Sequence, residues 1–152
     1  MSASTSNAAA AQKRLAVKAA RQRVAERDLE RAIYHAATRE GLSQRQISDT
    51  VGGRSQATVQ RILRRHGEDP SLLEEKPAEI IDRRAAGMID DQSMMDRLLN
   101  WKYSFGAVVR IEGVATDAYT TGDWDDIEMA FYRGVLSGDE FQALAERQLT
   151  NI

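Results

Sequence analysis

GLSQRQISDTVGGRSQATVQRILRRHG, residues 41–67, is the stretch from which the rest of the chain is read. Ser43 precedes a short periodic apolar run as a helix cap, and Gln46 three residues later completes a capping box. Ile47 and Val51 face inward, with small Ser48 where two helices must approach closely. Gly52 and Gly53 supply a sharp turn that a residue with a Cβ resists. Ser55 caps a second helix, whose buried stripe is Val59, Ile62 and Leu63 at i, i+3 and i+4. The opposite face then presents Ala57, Gln60, Arg61 and Arg64, flanked by Thr58 and Arg65, with Gln56 in the first turn.

That face has the chemistry a major-groove helix needs. Arginine donates two parallel hydrogen bonds to guanine, and glutamine pairs similarly with adenine. Small Ala57 and Thr58 let a helix sit deep and meet thymine methyls. Arg64, Arg65 and His66 at the far end reach phosphates, while the helix N-termini, with Gln44, Arg45, Arg54 and Ser55, hold the backbone. The run SQRQISDTV…SQATVQRIL resembles the helix-turn-helix of bacterial repressors and resolvase-like regulators, over about 25 of the 152 residues. The resemblance implies double-stranded DNA as ligand and a homodimer reading two half-sites. The turn departs from the family pattern. Gly52-Gly53-Arg54 is one residue longer and carries no apolar residue, which leaves the second helix open to rotation or displacement.

Upstream, Ala8 to Glu40 has neither Gly nor Pro and is rich in Ala, Arg, Glu and Leu, which predicts one long helix ending at Gly41. Its cations Lys13, Arg14, Lys18, Arg21, Arg23, Arg27 and Arg31 are candidate phosphate contacts. The alternative is a solvated face partnered by Glu26 and Glu30. Residues 1–11, small and polar and then Ala-rich, are expected to form a flexible lead-in and have no secretory-signal pattern. Residues 12–67 then form the DNA-binding domain. Residues 68–77 hold both prolines and a run of acids, and are expected to be a linker.

Residues 78–152 form the second module. Helices are expected over 78–86, 90–101, 123–133 and from Ser137 to about Leu149, with a short strand or ordered loop over 101–105, where aromatics alternate, and 107–111. A device recurs at intervals of 47 residues: an apolar residue, a cap, and an apolar residue four positions after the cap. It appears as Leu42/Ser43/Ile47, Ile89/Asp90/Met94 and Leu136/Ser137/Phe141. Gly87 and Gly134 precede the last two. An internal duplication of those two is left open.

Charge divides the chain. Residues 1–67 carry thirteen Lys and Arg against five Asp and Glu, a balance of +8; residues 68–152 carry eight against eighteen, a balance of −10. The asymmetry points to a polyanion-binding part joined to a part a polyanion repels. There is no cysteine, which excludes disulfides and thiolate chemistry and is compatible with a cytoplasmic protein. His35 and His66 lie apart, and the acids around 117–128 lack calcium-loop spacing, so neither metal nor cofactor is expected. No catalytic motif singles out an active site, and an enzyme is not expected.

The fold class expected is therefore mainly α: a long N-terminal helix plus helix-turn-helix, followed by a small, mostly helical acidic module with a short β segment. The function expected is sequence-specific transcriptional regulation. Most aromatics of the second module should be core, and Trp101, Tyr103, Tyr119 and Trp124 are the candidates for a partner-binding subset. The alternatives are an antitoxin, which represses its own operon and neutralises a toxin through the acidic module, and an adaptor whose basic half meets an acidic protein. No stretch has the length and apolarity of a membrane span.

Overall fold

The computed structural model describes residues 2–120 and 122–150, leaving out the side chains of residues 2, 3, 109 and 117–120. In chain order it contains α1 (Ser2–Thr38), α2 (Gln44–Val51), α3 (Gln56–Glu68), a 3-10 turn (Pro70–Leu73), α4 (Pro77–Ala85), α5 (Asp91–Leu99), β1 (Ala107–Ile111), β2 (Val114–Thr120), α6 (Trp124–Tyr132) and α7 (Gly138–Thr150). The protein is mainly α with one two-stranded sheet. It divides into two compact units, Gln22–Glu75, and Met1–Arg21 together with Lys76–Ile152.

Two expectations change at the N-terminal end, while the division between units falls within 68–77. The alanine-rich start is helical from Ser2 onward, because nothing in it breaks a helix. The first 21 residues group with the C-terminal part, not with residues 12–67. The stretch 68–77 is ordered. Asp69 caps the 3-10 turn by accepting from the Ser71 N–H at 3.2 Å. Arg31 of α1 donates to the Leu72 carbonyl at 3.1 Å and to the Glu74 carbonyl at 3.0 Å.

In the Gln22–Glu75 unit, the end of α1 packs with α2 and α3 around Ile33, Ile47, Val59 and Ile62, with Leu29, Ala36, Leu42, Val51 and Leu63 packed against them. Gly41 adopts φ +72°. The Leu42 N–H then reaches back six residues to the Ala36 carbonyl at 3.1 Å, which satisfies a carbonyl of the last turn of α1.

The other unit builds its core from Ile80, Ile81, Met94, Leu98, Tyr103, Trp124, Ile127, Ala130, Leu136 and Leu144. The elements of its two helix hairpins correspond along the sequence at an offset of 47. Helix α4 spans 77–85 and α6 spans 124–132; α5 begins at 91 and α7 at 138. Gly87 and Gly134 have φ +77° and +75°. The same backbone bonds close both turns: Met88 N–H to Arg83 and Val135 N–H to Ala130, each 2.9 Å. Asp90 and Ser137 cap at matching places by accepting from the Ser93 and Glu140 N–H groups. Helix α4 lies against α6 and α5 against α7, like against like. Over 77–102 against 124–149 only Ile80/Ile127 and Gly87/Gly134 are identical, so the shared geometry follows from cap and turn chemistry more than from shared side chains.

Strands β1 and β2 pair antiparallel, with Ile111 opposite Val114 and a register shift between Val108 and Arg110. Only Glu112 and Gly113 connect them, at φ +51° and +83°, the backbone twist a two-residue hairpin favours. Of the two stretches expected as strand or ordered loop, 107–111 is a strand and 101–105 has no regular structure. Strand β2 adds an element the sequence reading does not contain.

Candidate nucleic-acid interface

The local sequence sets the two short helices. The Ser43 hydroxyl accepts from the Gln46 N–H at 3.1 Å, and the Gln46 side chain accepts from the Ser43 N–H at 2.8 Å. The Ser55 hydroxyl accepts from the Thr58 N–H at 3.1 Å. The turn uses both glycines in left-handed conformation, φ +71° at Gly52 and +69° at Gly53. Ser48, read as a small spacer, also fastens this turn by donating to the Arg54 carbonyl at 2.6 Å. The lengthened connection is therefore accommodated, and Val59 and Ile62 remain buried at 0% and 5% exposure.

With that stripe buried, the other side of α3 is turned to solvent. Gln56, Ala57, Gln60, Arg61, Arg64 and Arg65 are exposed and Thr58 is half-buried. Gln44 and Arg45 are exposed at the start of α2; Arg45 lies 3.9 Å from Asp49. The Arg65 guanidinium donates to Glu30 at 2.6 Å yet keeps 57% of its side chain exposed.

No family model, curated protein or solved structure matches this chain.

Several residues expected at the interface hold the fold instead. Arg54 is ion-paired with Glu26, and only 20% of its side chain is exposed. The hydrogen bond from that pair holds the guanidinium charged, above its ordinary range. His66 is 3% exposed. Its ring stacks on Tyr34, centroids 6.0 Å apart, and its Nδ1 lies 2.9 Å from the Ile62 carbonyl. It is core and cannot meet a phosphate. On α1, Arg21 donates to the Ala86 carbonyl at 3.1 Å and Arg31 to the two carbonyls named above, whereas Lys13, Arg14 and Lys18 are exposed. No spacing along the sequence gives the partners Glu26, Tyr34, Ala86, Leu72 and Glu74, because each comes from a distant part of the chain.

The aromatic candidates of the second module divide as well. Tyr103 is buried and donates to the Leu98 carbonyl at 2.7 Å. Burial and nearby Asp123 push its phenol above the ordinary range. Trp124 is buried edge-on to Tyr103 at 5.1 Å. Trp101 packs against the core and donates to Asp123 at 2.8 Å. These three are structural. The side chain of Tyr119 lies outside the described residues. Exposed apolar side chains of this unit include Phe105, Met129, Phe131 and Tyr132, and Val108, Ile111 and Val114 on the hairpin. The sequence signal for the α6 residues was available: Met129 and Tyr132 fall off the stripe set by Trp124, Ile127 and Ala130.

Proposed function

We propose that the chain is a sequence-specific DNA-binding transcriptional regulator. It is not an enzyme; it works as a homodimer in the cytoplasm and inserts α3 into the major groove of double-stranded DNA. The observation that carries this is the division of α3 into a buried side, Val59 and Ile62, and a solvent side bearing Gln56, Ala57, Gln60, Arg61 and Arg64. Supporting it are the helix caps at Ser43 and Ser55 and the glycine turn between them. Arg61 and Gln60 read base edges; Arg45, Arg64 and Arg65 hold phosphates. The deciding experiment is selection of bound duplexes from a random pool by the purified chain, followed by titration of the selected and a scrambled duplex. Affinity for the selected site at least about a thousandfold above the scrambled one is expected. Equal affinity for both overturns the proposal and favours the adaptor.

A second reading, an antitoxin that also represses its own operon, is favoured by the exposed Phe105, Met129, Phe131 and Tyr132 of the C-terminal unit, with Tyr132 79% exposed. Exposed aromatics of this kind suit a protein partner. Neutralisation of a co-expressed neighbouring gene product, lost in Tyr132→Ala, tests it.

A further inference from the structure

Along the solvent side of α3 three hydroxyl and guanidinium groups are joined in a line. Ser55 Oγ accepts from the Thr58 N–H at 3.1 Å and lies 3.1 Å from Thr58 Oγ1. Thr58 Oγ1 in turn accepts from Arg61 Nη2 at 3.0 Å. The spacing 55, 58, 61 puts all three on one helix face, i to i+3 to i+6. Arg61 is exposed. An exposed arginine side chain ordinarily samples many rotamers, and ordering it on binding costs affinity, about threefold to tenfold. Here Thr58 holds the guanidinium before any ligand arrives. One donor hydrogen is used on Thr58, which leaves four on the planar fork. That is enough to present two parallel N–H groups, the arrangement that matches guanine O6 and N7 and no other base edge in the major groove. The cap supports the arrangement, because Ser55 fixes the backbone of Thr58 as well as its hydroxyl.

We propose that Thr58 is a positioning residue that pre-orders Arg61 for one guanine in the recognised site, with Ser55 anchoring Thr58 in turn. The proposal rests on α3 being the DNA-reading helix. It separates two roles on that face: Arg61 specifies, and Thr58 determines how strongly it does so. Arg64, one turn on from Gln60, carries no such tether among the described residues and contributes to affinity at every sequence alike.

The test is duplex selection and titration with the full chain, comparing wild type with Arg61→Ala, Thr58→Val, Thr58→Ser and Arg64→Ala. Thr58→Val keeps shape but removes the hydroxyl, and circular dichroism checks that it folds. Wild type is expected to select a site with one guanine whose preference over the other bases disappears in Arg61→Ala. In Thr58→Val that same preference falls about threefold to tenfold, with the other positions of the site unchanged. Thr58→Ser restores it, and Arg64→Ala weakens all sites alike. A wild-type preference lost in Arg61→Ala but intact in Thr58→Val overturns the positioning role and leaves the DNA-reading helix standing. A wild type that selects no sequence overturns the helix assignment and the positioning role together.

Discussion

Gly52 and Gly53 both stand at positive φ, and nothing lies within 4 Å of where a Cβ would project from either. Alanine at either therefore meets only a backbone penalty, which at Gly52, with φ +71° and ψ 150°, is that of a region populated essentially by glycine, about 1–3 kcal/mol. Gly122 is the opposite case: its φ is ordinary, but a Cβ would sit 2.5 Å from the Ser104 carbonyl oxygen and 2.6 Å from the Phe105 carbonyl carbon. Gly122→Ala must displace main chain and is expected to destabilise its unit more than either turn substitution does. Chemical denaturation of the three variants checks the order, and a Gly52→Ala loss larger than that of Gly122→Ala contradicts it. At this scale the sequence is most legible where a residue's partner lies within four positions. Ser43, Gln46, Ser55, Val59 and Ile62 all do what local chemistry dictates. Arg54, His66 and Arg21 do not, because Glu26, Tyr34 and Ala86 are brought to them by folding.

At the scale of elements, the second hairpin of the C-terminal unit is tied to the first by Arg84. It donates to Glu140 at 2.9 Å, to Asp91 at 3.0 Å and to the Val135 carbonyl at 2.7 Å. Burial alone would raise the Glu140 carboxyl. The hydrogen bonds from the Ser137 N–H and Arg84 outweigh it and hold the group below its ordinary value. A carboxyl depressed on folding contributes stability that is fully present above its unfolded pKa, about 4.3, and is lost as pH falls through the folded value. Thermal denaturation is thus expected to show this unit weakening below about pH 4.3. Glu140→Gln should reduce that acid dependence and lower the melting temperature at pH 7. An unchanged acid limb in the variant argues against the tie. Of the four helices here, α5 and α7 are legible from the caps Asp90 and Ser137 and the glycines before them. Strand β2 was legible in principle, since Val114 to Thr120 is rich in β-branched and aromatic residues after a Glu-Gly turn, but the glycines on either side of it read as breaks.

For the molecule as a whole, the charge division of the sequence does not survive as a division between units. The +8 of residues 1–67 includes cations of residues 1–21, which group with the C-terminal part. Residues 22–75 hold nine Lys and Arg and nine Asp and Glu, a balance of zero. On the proposed DNA-binding reading, α3 would rely on local cations, not on the field of a strongly basic domain. With Arg45, Arg64 and Arg65 on phosphates, log K against log salt should fall with a slope of about −3 per chain. Arg64→Ala should remove about one unit of that slope. Arg54→Ala and Arg21→Ala should leave it unchanged, since those guanidiniums hold protein groups. A slope near −7 per chain, about that expected if the whole +8 acted on DNA, contradicts this. Helices, caps, turns and the apolar side of α3 follow from neighbours three or four residues away and are legible in the chain's order of residues. Which polar groups stay open to a ligand is set by contacts between distant segments. An arginine or histidine is indifferent to its place in a helix until folding brings a distant carboxylate, carbonyl or ring within reach.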